Sequence, residues 1–558
     1  MRKTVILLIA LFLMKACTEP PSGNEFILFN VNGYSLDSAG ELFQFDAIVV
    51  SQGKVEATGT GEVLEKNYPQ ITRRIDGGGR TLLPGIIDAH AHVMGLGIRE
   101  LDVNLAGIRS LEEVLRVLEE FAEAHPEREW ITGRGWNQEL WSVNEFPTAA
   151  DLDRIIPDRP VYLTRVDGHA AWANSEAMKR FGISRETPDP RGGLIHRDHS
   201  GDATGIFVDT AMEPLASVIP ERTNEELELA LELALNEMAR YGITSVHDAG
   251  IGTFEWNLYK KFAEEGRLKT RIYAMIGGTG AAFDQLAADG IIPGYAEDML
   301  ALRSVKISAD GALGSRGAAL LEDYQDDSGN RGLLFYDQQE LNEMLLKGAE
   351  AGFQMNIHAI GDAANRQVLD AFEALFEQLD GQAELRHRIE HAQIVDPEDI
   401  PRFTDYHLIA SMQPSHATSD MNMAEERVGG ERILSSYAWQ TFLGQGTVIA
   451  GGSDFPVEEV SPFYELHAAV TRQDHEGMPP GGWYGEQRMS RIEALRAFTI
   501  DAAYAAHQEK ILGTLEPGKW ADFILTDRDY FDLTASDIWK INVLETWVGG
   551  TKVYENYE

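Results

Sequence analysis

The chain has 558 residues, 44% of them hydrophobic, well past the size at which one hydrophobic core stops growing, so a globular protein of several layers or domains is expected. Its 89 acidic residues outnumber 48 basic ones, and a formal net charge of -41 repels nucleic acid and anionic lipid headgroups, which excludes both as partners for the bulk surface. A single cysteine, Cys17, excludes a disulfide framework, and any metal must be held by His, Asp, Glu or Lys.

The first residues read MRK, then the apolar run TVILLIALFLM, then KAC. A basic start and an apolar run much shorter than the ~20 residues of a membrane-spanning helix predict an export signal. Cys17 stands where bacterial lipoprotein signals carry the lipidated residue, which predicts a lipid-anchored protein facing the periplasm or the cell exterior. Met14 and Lys15 depart from the usual lipoprotein pattern, so a plain cleaved signal is the alternative. A Pro/Gly/Ser stretch near residues 19 to 24 reads as a tether.

From Phe26, short alternating apolar runs separated by Gly, Asn and Ser turns predict small antiparallel strands, and the same texture returns from Gly513 to the C-terminus. The two ends are therefore expected to build one small β-sandwich, from residues 25–82 and 508–558. Between them, the grammar changes. TNEELELALELALNEMARYG is a helix with Thr223 and Glu226 as its capping box, and it feeds the strand ITSVHDAG. The helix-then-strand pattern recurs before QMNIHAIGD, RHRIEHAQ, LIASMQPSH and TVIAGGSD, which predicts a parallel sheet closed into a (β/α)8 barrel over residues 83–507. The tract 93–303 is longer than its two or three βα units require, so an insertion that shapes and covers the site is expected there.

The predicted strands end in ligand-type residues: His90 and His92 in PGIIDAHAH, Lys306 in RSVKISADG, His358 in QMNIHAIGD, His391 in RHRIEHAQ and Asp454 in GGSDFP. In a parallel barrel all strand C-termini open on one face, where these six residues can converge. His90 and His92 are at i and i+2, on one side of a strand, and can chelate one ion. Taken singly, each has a plainer reading: an exposed histidine pair, or Asp454 as a helix N-cap. Their joint occurrence at successive strand ends is what points to metal.

PGIIDAHAH, the tract 133–178 with RVDGHAAWANSEAM, GITSVHDAG, VKISADGALGSRGAAL, NIHAIGD, RIEHAQ, QPSHATSD, GGSDFPV and LGTLEPGKWADFILTD occur in this order. In them the chain resembles the amidohydrolase superfamily, in the type-3 branch that includes N-substituted formamide deformylases. The resemblance implies a distorted (β/α)8 TIM barrel with a small β-sandwich from both chain ends. It implies one or two divalent ions, usually zinc: one on His90, His92 and Asp454, a second on His358 and His391. A protonated lysine cannot ligate a cation, but the family places on its fourth strand a lysine that carbon dioxide has carboxylated, and Lys306 matches it. The alternative is that Lys306 is a buried cation paired with Asp310 and that the site holds one ion.

Divalent ions bring the pKa of bound water towards ~7 and polarise a carbonyl, so the expected reaction is attack of the resulting hydroxide on a non-peptide amide, N-formyl or N-acyl carbon–nitrogen bond. Asp454 would accept the proton and deliver it to the leaving nitrogen. Asp88 is read as orienting a histidine, and His247 as either such a group or a structural one. Trp136, Gln138, His169, Arg316 and His416 are at expected mouth positions and are candidate substrate contacts, with Arg316 suited to a carboxylate or carbonyl oxygen. The rival readings are an ester, lactone or phosphoester hydrolase using the same site, and a non-catalytic metal-bearing lipoprotein. The expected partner is a small-molecule amide, with no nucleic acid, a membrane only through the anchor, and homo-oligomerisation left open.

Overall fold

The computed structural model describes residues 25–143 and 145–556, so the export signal and Cys17 lie outside the described residues. Eight parallel strands form the centre: β1 Ile86–Ala91, β2 Ile243–Ile251, β3 Arg271–Gly277, β4 Leu300–Ser308, β5 Gln354–Ala359, β6 Arg388–His391, β7 Ile409–Met412 and β8 Ile449–Gly451. They pair in chain order from β1 to β8, each parallel to the next. Just past the last strand the ring is drawn shut, because Asp454 donates its backbone N–H to His90 O at 2.7 Å and His92 donates to Phe455 O at 2.8 Å. β1, β5, β6, β7 and β8 are buried at every position, as strands covered on both faces are.

The helices between strands start and face as their sequences dictate. Asn224–Arg240 is capped by Thr223, which accepts from Glu226 N–H at 3.2 Å while the Glu226 carboxylate accepts from Thr223 N–H at 2.9 Å. Its buried residues, Ala230, Leu231, Ala234, Leu235 and Met238, recur at helical spacing and face the barrel core. Among the described residues no helix is long and apolar enough to cross a membrane.

Both chain ends meet in one seven-stranded sheet, in which Phe523–Thr526 pairs antiparallel with Arg74–Pro84. Phe26–Leu36 and Val543–Val548 are separated by two strands in that sheet, so a flat sheet would hold them about 14 Å apart. The Phe26 and Trp547 ring centroids are nevertheless 5.1 Å apart. The sheet therefore curls over itself around Leu28, Ile48, Val50, Leu82, Phe523 and Leu525. It is tied to the barrel by Arg271, the first residue of β3, whose buried guanidinium donates to Asp522 at 2.7 and 3.1 Å.

The third sheet is an insertion between β1 and β2. Its six strands run from Val103–Asn104 to Ala203–Asp209 along the chain and surround a core with Trp136, Trp141, Leu163 and Trp172. The extra length of the tract 93–303 is thus concentrated before β2.

Candidate metal centre

The C-terminal ends of the barrel strands and the inserted sheet enclose a cavity of about 590 Å³, lined among others by His92, Lys306, His358, His391, His416 and Asp454. Asp454 lies three residues past β8 in a left-handed backbone conformation, φ +61°. The chain reaches this point by passing hard against β1: a Cβ on Gly452 would meet His90 N at 2.5 Å, so only glycine fits there. Asp88 fixes the crossing. It accepts from Ser453 Oγ at 2.6 Å and from the backbone N–H groups of Ser453 and His90 at 3.1 Å each. Burial pushes the Asp88 carboxyl up to about 7, against those bonds. Asp88 therefore holds the main chain rather than an imidazole, contrary to the sequence reading.

Two rings are held by partners that the sequence reading passed over. His90 Nδ1 bonds Glu390 Oε2, and His391 Nδ1 bonds Gln413 Oε1 at 2.8 Å. Since both partners accept, each Nδ1 carries the proton and each Nε2 keeps its lone pair. Glu390 is held in turn by Arg388, whose Nε lies 2.7 Å from Oε1 and whose second guanidinium nitrogen donates to Oε2 at 2.9 Å. Burial raises the Glu390 carboxyl, but Arg388 and His90 outweigh it and hold it well below the usual range. Arg388 also donates to Ala89 O, Ser411 Oγ and His247 Nδ1, the last at 3.0 Å. His247 is thus a buried, neutral member of the barrel interior, its ring tilted against that of Tyr273 and away from the cavity lining.

The free lone pairs converge. His90 Nε2 and His92 Nε2 lie 3.7 and 3.2 Å from Asp454 Oδ1, and His416 Nε2 lies 3.6 Å from Asp454 Oδ2. Ligands at ~2.05 Å in a tetrahedral shell are about 3.4 Å from one another, so these spacings are those of one ion's donor set. Two groups have ligand atoms mutually within 4.8 Å: His90, His92 and Asp454, and His391, His416 and Asp454. Asp454 belongs to both. His90 Nε2, both His416 nitrogens and Asp454 Oδ1 are buried without a hydrogen-bond partner, a costly arrangement that a cation would relieve. Burial lowers His90 to about 4 and takes His358 and His391 well below their ordinary value, so all three present neutral imidazole. Burial raises Asp454, but the close approach of His92 and the other rings around it hold it well below the usual range. The donor set fits one or two divalent ions.

His358 stands beside these groups, its ring 4.5 Å from that of His391 and its unpartnered Nε2 3.4 Å from Asp310 Oδ1. Asp310 accepts from the N–H groups of Ala319, Ile360 and Gly361 at 2.8 to 3.0 Å and is pushed up to about 7 by burial. Asp310 is therefore not a partner of Lys306. Lys306 is buried and lines the cavity, and its side chain forms no hydrogen bond or ion pair with another described residue. Burial lowers it from its ordinary value, against the pull of Glu390 and Asp454.

The five candidate substrate contacts divide. His416 and His169 line the cavity, and His169 Nδ1 is held by Asp209 Oδ1 at 2.6 Å across from His358. Gln138 is buried behind the wall and accepts from Arg165 Nε at 2.9 Å. Arg316 turns to Asp326 at 2.8 Å and does not line the cavity. Trp136 is fully buried in the inserted core, its indole N–H donating to Leu163 O at 2.9 Å. The reason is Gly135, φ +101°, where the strand Ile131–Trp136 slips register: Arg134 faces the cavity and Trp136 is thrown into the core. The sequence did carry signals for the missed residues. Arg388 and Glu390 alternate on one strand face, the pattern of an internal ion pair, and Gln413 ends β7 as the histidines end theirs.

Residues 73–554 match the family model described as the amidohydrolase family. Protein LONG AFTER FAR-RED 3 of Arabidopsis thaliana is 34% identical over 551 residues, 96% of this chain and 93% of that protein. N-substituted formamide deformylase of Arthrobacter pascens is 28% identical over 542 residues, 95% of this chain and 98% of that protein. Among solved structures, an uncharacterized metal-dependent hydrolase from Pyrococcus horikoshii superposes with a TM-score of 0.74 at 28% identity, over 92% of this chain and 99% of that one.

Proposed function

The chain belongs to the amidohydrolase family, and from that premise we propose that it is a metal-dependent hydrolase that cuts a non-peptide carbon–nitrogen bond, an amide, N-formyl or N-acyl bond, in a small molecule. The observation that carries the reading is the convergence of imidazole nitrogens on the shared, ionised carboxylate Asp454 at the cavity. His90, His92 and Asp454 would hold one ion, and His391 with His416 or His358 a second. A divalent ion in such a site supplies Lewis acidity and lowers the pKa of water to about 7.

The chain's own groups do the rest. Glu390 and Gln413 keep the proton on Nδ1 of His90 and His391, so neither ring swings or titrates into the cavity. Asp454 accepts the proton of the attacking water and returns it to the leaving nitrogen. His169, braced by Asp209, faces the substrate from the inserted side and is available to the carbonyl oxygen. Lys306, buried without an ion pair among the described residues, would gain by carboxylation: the ammonium loses a proton, its Nζ adds to carbon dioxide and a second proton leaves, so that an unpaired cation becomes a carbamate anion that could serve as a metal ligand. Export with lipid attachment at Cys17 belongs to the same proposal, and Cys17→Ala would move the protein from the membrane to the soluble fraction.

The test is turnover of matched panels of N-formyl and N-acyl amines, esters, lactones and phosphoesters by the zinc-loaded chain. Amide turnover at least tenfold above the rest is expected. Faster cleavage of esters, lactones or phosphoesters replaces the bond assigned here, and no turnover of any class by a fully metal-loaded protein favours a binding role instead.

A further inference from the structure

The buried arginines of this protein are nearly all neutralised by the chain. Arg271 has Asp522, Arg388 has Glu390, Arg427 has Glu139 and Asp326, and Arg472 lies against Trp439 and Trp483. Arg134 and Arg303, both half-buried, differ in having no ion pair among the described residues, and of the two Arg134 lines the cavity. It comes from the inserted strand Ile131–Trp136, and among the described residues its side chain makes one hydrogen bond, from a terminal nitrogen to Val166 O at 2.9 Å. Its Nε is buried with no partner, and no carboxylate among the described residues lies within ion-pair distance. Burial pulls it down to about 10, against the attraction of Asp454.

Several acids that share this wall are already committed, although Glu459, which also lines the cavity, has no ion pair among the described residues. Asp167 pairs with Arg165, Glu139 with Arg427, and Asp420 accepts from Tyr437 Oη at 2.7 Å and Gln393 at 3.1 Å. Of the other arginines that line the cavity, Arg109 is exposed and forms no ion pair among the described residues, and Arg99 is bonded to Glu100. On a molecule of net charge -41, Arg134 is thus a guanidinium without a counter-ion among the described residues, facing the cavity a substrate would enter. A guanidinium kept partly dry without a counter-ion is costly unless a ligand supplies the anion, and its planar fork is matched to carboxylate or phosphate oxygens.

We infer that Arg134 is the anion-recognition group of this site and that the substrate carries a carboxylate, or an anion of like geometry, on the portion that reaches the inserted wall. This rests on the hydrolase reading for where the scissile bond lies. It divides the labour: the barrel ends supply the chemistry, and the insertion supplies recognition of charge. Leu140, Val166, Leu313 and Met423 line the same cavity and leave apolar room beside the anion.

The test uses the zinc-loaded full chain and two uncleavable ligands that differ by one group, N-methanesulfonyl-phenylalanine and N-methanesulfonyl-phenethylamine, measured by titration calorimetry. A bidentate charged contact predicts that the wild type binds the acid about ten- to a hundredfold more tightly. Arg134→Gln should bring the ratio to within about threefold, and Arg134→Lys should keep part of it. Equal affinities in the wild type, no binding of the acid, or a ratio unchanged in Arg134→Gln would overturn the inference. The wild-type ratio needs no variant to fold. Turnover of the matching N-acetyl compounds reads the hydrolase assignment separately: if neither is cleaved while the binding ratio stands, that assignment fails and the anion site does not.

Discussion

His90 Nδ1 is bonded to Glu390 Oε2, a partner 300 residues away in sequence, and both side chains are fully buried. The contact fixes the tautomer of the first candidate ligand and links β1 to β6 across the barrel. Glu390→Gln keeps the shape but offers a weaker acceptor to His90 and a neutral one to Arg388. Metal affinity measured by competition with a chelator should fall about ten- to a hundredfold. Unchanged affinity would mean that the pair serves only packing.

Asp454→Asn removes the ionised carboxylate without disturbing its backbone, because asparagine tolerates the left-handed φ of +61°. The melting temperature of the metal-loaded protein should change little, while kcat falls about a hundred- to ten-thousandfold. A variant with near-normal kcat would remove Asp454 from proton transfer.

Lys306→Ala removes a buried cation that has no ion pair among the described residues. If the lysine is carboxylated, metal content drops by one equivalent and added short carboxylates restore part of the activity. Metal content equal to the wild type would reject carboxylation.

Glu465 gives a pH signature away from the ligands. It is fully buried and accepts from Ser415 N–H at 2.9 Å and from Ser415 Oγ, and burial raises it well above its ordinary value against those bonds. Between the unfolded value of about 4.3 and the raised folded value, the folded chain keeps a proton that the unfolded chain has lost. Stability therefore declines as pH rises, by up to about 1.4 kcal/mol per unit. Glu465→Gln removes this slope, so urea midpoints between pH 5 and pH 8 should fall more steeply in the wild type than in the variant. Parallel profiles would show that Glu465 is ionised in place.

The barrel and the meeting of strand-end residues at one mouth were legible because both depend on local pattern: helix-then-strand periodicity, the capping box at Thr223, and a histidine, lysine or aspartate at the ends of five strands. The supporting contacts were not, because Glu390 and Gln413 act on rings from other strands and periodicity gives a residue's face but not its partner. Trp136 and Arg134 show the same limit within one strand. Plain alternation puts them on one side, and the bulge at Gly135 sends the tryptophan to the core and leaves the arginine in the cavity. His416 was legible as a mouth residue, but its place beside His391 and Asp454 depends on the turn that follows β7.

The most direct measurement is metal counting joined to turnover on the full chain, stripped by chelator and then dialysed against zinc. The account predicts at least one tightly bound equivalent and amide hydrolysis that appears only on loading. Less than one equivalent, with no activity restored by zinc or another divalent ion, would contradict it.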